Sequence, residues 1–581
     1  MPDEAGRSAG PMIFWGWLAF SLRNWDVGAE FQLLFMMNRL SALPWLSSVL
    51  LLGVLAAGAS WAVNAYLKPP VAVPGLAVGA GDESVTGAVR ALDDCFRKEW
   101  LAHGLTPTVR ADDLTVLRRL SLALTGSLPS LQELREFDAA RPADAAGWWA
   151  GVLLKDRRTS DYLAERLARV YVGTETGPFL IYRRRRLVEW LSDALLKNRR
   201  YDEVVRSLIT ASGVWTTAPE VNFISVTNEN KKGPDEEKLA AKVSRAFLGV
   251  RIDCVQCHDG KLGSTWTQKD FHSLAAWFGQ ADFAFTGLRD NGKMSYKHRF
   301  LGQAEVVVVP PGVPWRAELL PAKGGPRERL AAWITAKENG PFARAMVNRV
   351  WALLFNRPLV SPVDDMPVDG PFPEALEVLS EDFKAHDYDL HRLIRVITSA
   401  EVFRLGSASG DGAHPVTVEA EKHWAAFPVT RLRPEQMAGS VVQAASLTTI
   451  DAETHVIFRI RRDIEVANFV KRYGDAGEDS FEDGGGTIPQ RLLLMNGNLT
   501  TEHTKNNPVL NASSRIAMLA PDDRAAVEAA YLSILTRRPS PEEEKHFLGL
   551  LAEGKNQKSR ANVMADICWT LLNATEFSWN H

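Results

Sequence analysis

The chain reads as a mainly α, multi-helical protein of two domains. A short β-containing connection is expected near 303–316, and a transmembrane helix ahead of both domains. Three observations predict this. Apolar residues recur at spacings of three and four through most of the sequence after residue 86, as a buried helical stripe requires. Residues 41–67 carry no charge and are long enough to cross a bilayer, which takes about 20 residues. One β-rich run, 305–309, interrupts the helices and is closed by Pro310, Pro311 and Gly312.

Taken in order, residues 1–42 are an N-terminal extension and 43–67 the membrane anchor or export signal. Residues 68–85, rich in Pro, Gly, Ala and Val, read as a linker. The apolar run is longer than a usual signal core, which favours an uncleaved anchor, and Met36 and Met37 offer alternative starts before it. Either outcome places the bulk of the chain in the periplasm, tethered by a single pass at the cell membrane.

The first helical domain spans 86–300. Leu114, Leu117, Leu120 and Leu124 form a buried stripe, and Ser130 with Glu133 makes a capping box for the next helix. Further helices are expected at 144–154, 160–173, 180–197 and 201–212. The four arginines at 183–186 read as a solvated helical face, or as a docking patch for anionic groups. A helix opening at Asp235 with acids in its first turn leads through Phe247 and Leu248 to the central motif.

That motif is Cys254-Val255-Gln256-Cys257-His258. C-x-x-C-H is the attachment pattern of c-type haem: two thiols add to the porphyrin vinyl groups and the adjacent imidazole takes an axial position on iron. On one helical turn the three side chains would share a face. Cys254 and Cys257 are therefore the expected attachment residues and His258 the proximal ligand. Met294 is the expected sixth ligand, with His272 and His298 as imidazole candidates. Two other readings fit the same residues: a zinc site adding His272, and a disulfide. The chain has four cysteines; the distant Cys95 and Cys568 are either buried and free or a link between the ends.

A connector at 301–324 ends at Gly324, Gly325 and Pro326, the expected boundary of a C-terminal helical domain, 325–581. Helices are expected there at 327–337, 342–355, 374–386, 389–399, 523–535, 541–553 and 558–573. Loops are expected at 405–415 and 472–487. His386 and His391 lie near Asp387 and Asp389 in a turn. No glycine pattern suits a phosphate cradle, and no nucleophile–base set can be assembled from spacing. A net charge of −3 leaves no footprint for nucleic acid.

These residues carry a resemblance. LRRLSLALTG at 117–126, FLGVRIDCVQCHD at 247–259 and WTQKDF at 266–271 resemble the planctomycete cytochrome-c-like domain. MVNRVW at 346–351, RLRPEQ at 431–436, IPQRLLLMN at 488–496, TRRP at 536–539 and LLNATEF at 571–577 resemble the planctomycete-specific domain that usually follows it. Both families are of unknown function. Relatives commonly follow the motif with Asp-His-Pro; here Asp259 precedes Gly260 and Lys261, so one histidine that could complete a metal site is missing. This weakens zinc, which needs four ligands, more than haem c. The sequence thus leads to an exported, membrane-tethered, cytochrome-c-like electron-transfer protein serving a periplasmic redox partner. The alternatives are a non-redox scaffold or glycan-binding protein with the cysteines as a disulfide or metal clip, and a hydrolase with its site in the C-terminal half.

Overall fold

The computed structural model describes residues 83–174, 182–228, 233–260, 266–408, 416–474, 487–554 and 557–581. They are mainly helical, with three two-stranded antiparallel pairings and no larger sheet. The expected membrane helix at 43–67, the extension 1–42, most of the linker and most of the two expected loops lie outside the described residues. Among the described residues no helix is long and apolar enough to cross a membrane. The fold class is corrected accordingly: mainly helical, with no membrane-spanning helix among the described residues.

The local signals produced the helices they predict. Asp112 caps Asp113–Thr125, its Oδ1 accepting the Thr115 N–H at 3.0 Å, and Gly126 ends that helix in the left-handed region at φ 68°. The Ser130/Glu133 box closes reciprocally at 3.0 and 2.8 Å. Asp235 caps Glu236–Leu248, and Thr267 with Asp270 boxes Gln268–Ala275. The expected strand is much reduced. Only Val307–Val308 pairs, with Lys297–His298, and Val306, Val307 and Val308 are exposed. Of the run only Val309 is buried, so extending the ladder through the exposed valines gains little.

The two expected helical domains pack closely together, and Val78–His581 forms one compact unit. The motifs from both halves meet in its interior. Gln436 Nε2 donates to Leu122 O at 2.9 Å, and Gly439 passes so near Gly126 O that a Cβ there would stand 2.6 Å from it. Arg433 reaches Tyr162 Oη and Asn356 Oδ1, both at 2.9 Å. Arg349 Nη1 donates to Ala246 O at 2.9 Å, and Met366 N–H to Gly249 O at 2.7 Å. Arg118 and Arg119 are fully buried and fan onto carbonyls of the last residues, including Phe577 O at 3.1 Å and His581 O at 2.8 Å. The expected boundary at 324–326 is a turn that starts the helix Pro326–Ile334, and Arg327 ties that helix to Ile209 O and Ala211 O. Each of these buried guanidiniums bonds across from one segment to the other, so together they hold the two halves in one register.

Candidate functional site

Gly249, at φ 62°, ends the helix Glu236–Leu248 and turns the chain into the C-x-x-C-H loop. A side chain here would meet Met366 Cε at 2.8 Å and Val363 O at 3.1 Å. The loop is thus seated on the C-terminal half as well as on its own. Asp253–Val255 forms a single 3-10 turn, not the α-helical turn the spacing suggested. Val255 is buried, and Cys254 and Cys257 are free, exposed thiols.

His258 is half-buried. Its Nδ1 lies 3.0 Å from Asp259 O. A carbonyl only accepts, so Nδ1 carries the proton and Nε2 is left with its lone pair for a metal. Asp259 Oδ1 accepts the Gln268 N–H at 2.8 Å and Gly260 N–H donates to Trp266 O at 3.1 Å, which closes the loop on the helix Gln268–Ala275.

Gln256 is the keystone. Its carbonyl accepts from His272 Nε2 at 3.0 Å and from Gln268 Nε2 at 3.1 Å, and its amide donates to Glu237 Oε2. Beneath it lies a polar cluster. Tyr296 Oη stands 2.7 Å from both His272 Nδ1 and Glu237 Oε1. His298 stacks on His272 with ring centroids 3.4 Å apart at 21°, and Phe300 meets both rings edge-on. Burial holds the His272 imidazolium below its usual range and pushes the Tyr296 phenol up, the latter reinforced by Glu237.

His272 is fully buried with both nitrogens engaged, so it supplies neither the sixth ligand nor a fourth zinc donor beside the thiols. Donor atoms of Glu237, His272 and His298 lie within 4.8 Å of one another. His272 is held in place with both nitrogens already bonded, however, so the cluster is a hydrogen-bonded support for the loop. Met294 sits at the end of an exposed turn, its N–H on Asn291 O, with 38% of its surface open. Cys254, Cys257 and His258 are the residues that would hold a haem or a metal at this loop.

The remaining candidates are structural. Arg184 pairs with Glu165 at 2.8 Å, and Arg185 and Arg186 with Glu189, a solvated face with acidic partners. His391 Nε2 bonds Leu195 O, and Asp389 caps Leu390–Ser399. Cys95 and Cys568 are buried and unlinked, their thiols pushed up to about 11 and about 12 by desolvation. Sequence reasoning missed Glu237, Gln256 and Tyr296 as a group, since no spacing links positions 237, 256, 272 and 296.

The chain carries two domains of unknown function. Residues 91–283 match the family PSCyt2, described as a protein of unknown function (DUF1549). Residues 326–459 match PSD1, described as a protein of unknown function (DUF1553). The C-x-x-C-H loop lies within the PSCyt2 match, and the seam joins that segment to the PSD1 match and to the residues after it. No curated protein and no solved structure shows a significant match to the chain.

Proposed function

We propose that this protein carries covalent haem c on Cys254 and Cys257, with His258 as proximal ligand, and serves electron transfer. The observation that carries this reading is the Nδ1–H···O=C bond from His258 to Asp259. It fixes the ring tautomer and leaves Nε2 as a ligand beside two accessible thiols. When bound, the group supplies one-electron exchange at the surface. The chain supplies attachment, orientation and a loop held at Gln256 from three directions, which limits its rearrangement between oxidation states. Such a protein exchanges electrons with a redox partner and acquires haem outside the cytoplasm.

The test is production of the chain in a host competent for cytochrome c maturation. The expected result is a Soret band that survives denaturation and is lost in Cys257→Ala. A colourless wild-type chain overturns the reading. One observation favours a second: the two free, exposed thiols three residues apart also suit a dithiol–disulfide couple. Mass spectrometry of the colourless chain, showing reversible loss of two hydrogens, would support that couple instead.

A further inference from the structure

Two Glu-x-x-x-His pairs, 320 positions apart, converge on one surface. Glu99 belongs to the helix Glu83–Ala102 and His103 follows its end; Glu419 belongs to the helix Val418–Lys422 and His423 follows that one. Glu99 Oε1 lies 2.8 Å from His423 Nδ1 and 3.3 Å from His103 Nε2. His423 Nε2 faces Glu419 Oε2 at 3.3 Å. The His423 backbone is pinned by Trp100 Nε1, which donates to its carbonyl at 3.0 Å.

We propose that Glu99, His103 and His423 bind a divalent transition-metal ion of the zinc type, with Glu419 orienting His423 from behind. A neutral imidazole has one N–H. Without an ion, His423 Nδ1–H donates to the Glu99 carboxylate at 2.8 Å; a divalent ion takes the Nδ1 lone pair of the other tautomer, whose N–H on Nε2 goes to Glu419. Two carboxylates and two neutral imidazoles carry a charge of −2, which a divalent ion cancels. A carboxylate behind a ligating histidine is the recurrent arrangement at zinc. Donors at about 2.0–2.1 Å from zinc in a tetrahedron stand roughly 3.3–3.4 Å apart, near the 2.8 and 3.3 Å observed.

The His103 and His423 rings stack at 3.8 Å and 29°, so closing on an ion requires one ring to turn. His103 can do so: its side chain is 46% exposed beyond the helix end, unlike the pinned His272. Glu99 and His103 come from the PSCyt2 segment and Glu419 and His423 from the PSD1 segment, so the ion would clip the two together.

The experiment uses the full chain with Cys254→Ser and Cys257→Ser, which removes the thiols as competing ligands. Zinc titration by calorimetry should give one saturable site, and bound Co2+ should show visible bands without thiolate charge transfer. His103→Ala and His423→Ala should each weaken zinc at least tenfold, and Glu419→Gln about tenfold. His103 is a surface residue, so its variant remains informative should His423→Ala fold poorly. No saturable zinc in the Cys-free chain, or zinc affinity unchanged in His103→Ala, overturns the proposal. Neither result bears on haem attachment.

Discussion

Gly439 and Gly549 both lie inside helices, Pro434–Ala444 and Pro541–Ala552, and the same change to alanine should have opposite signs at the two. Helix propensity alone favours alanine at each by about 0.8–1 kcal/mol. At Gly549 nothing lies within 4 Å of the new Cβ, so Gly549→Ala should stabilise by close to that amount. At Gly439 the Cβ would stand 2.6 Å from Gly126 O, where ordinary contact begins at 3.4 Å. The obstructing atom is backbone, held at a helix end in the left-handed region, and cannot swing aside as a side chain could. Overpacking of this kind costs about 1–3 kcal/mol, and parting the seam weakens the neighbouring Gln436–Leu122 bond, worth about 1 kcal/mol. Set against the propensity gain, Gly439→Ala should lose about 2 kcal/mol net. Urea unfolding followed by circular dichroism, with midpoints compared at equal slope, measures both variants. A Gly439→Ala chain as stable as Gly549→Ala would refute the close packing of the two matched segments.

Arg119→Lys should destabilise by about 3 kcal/mol in the same assay, because a single ammonium cannot replace a planar fork bonded to buried carbonyls; Arg119 reaches Phe403 O, Leu405 O and His581 O and stacks on Phe427. Tyr296→Phe should cost about 1–3 kcal/mol by leaving His272 Nδ1 and Glu237 Oε1 without their shared partner, and hydrogen exchange at residues 254–260 should quicken; unchanged exchange there would show that the cluster does not support the loop. The Arg537 guanidinium holds the Glu543 carboxyl at about 2, below its ordinary 4.5. Its contribution to stability is therefore fully present above pH 4.5 and is lost as pH falls toward 2. Glu543→Gln should flatten the acid limb of the stability profile between those values, and an unaltered limb would assign acid sensitivity elsewhere.

The elements read most directly from sequence are those whose cause is local. Ser130 with Glu133 makes its box within four residues, and the leucines at 114, 117, 120 and 124 share a face by helical period alone. The strand near 305–309 shrank because β-branched side chains extend a ladder only where one face is buried, and here three of the valines are exposed. The boundary at 324–326 has the composition of a linker and stays at the surface, yet Arg327 beside it is buried and bonds Ile209 O and Ala211 O. Composition reports how a segment can turn, not what it packs against.

By itself the sequence determined the helical class, the caps that start and stop the helices, and the position of the C-x-x-C-H motif, since each follows from residues a few positions apart. Only the tertiary structure decided that the two halves form one unit, that His272 supports the loop and cannot serve as its ligand, that His258 presents Nε2, and that Glu99, His103, Glu419 and His423 gather on one surface. Apart from the bond between His258 and its neighbour Asp259, these facts depend on contacts between residues from 16 to more than 400 positions apart. Short-range periodicity constrains the conformation of a segment, and such distant contacts exist only once the chain has closed its core.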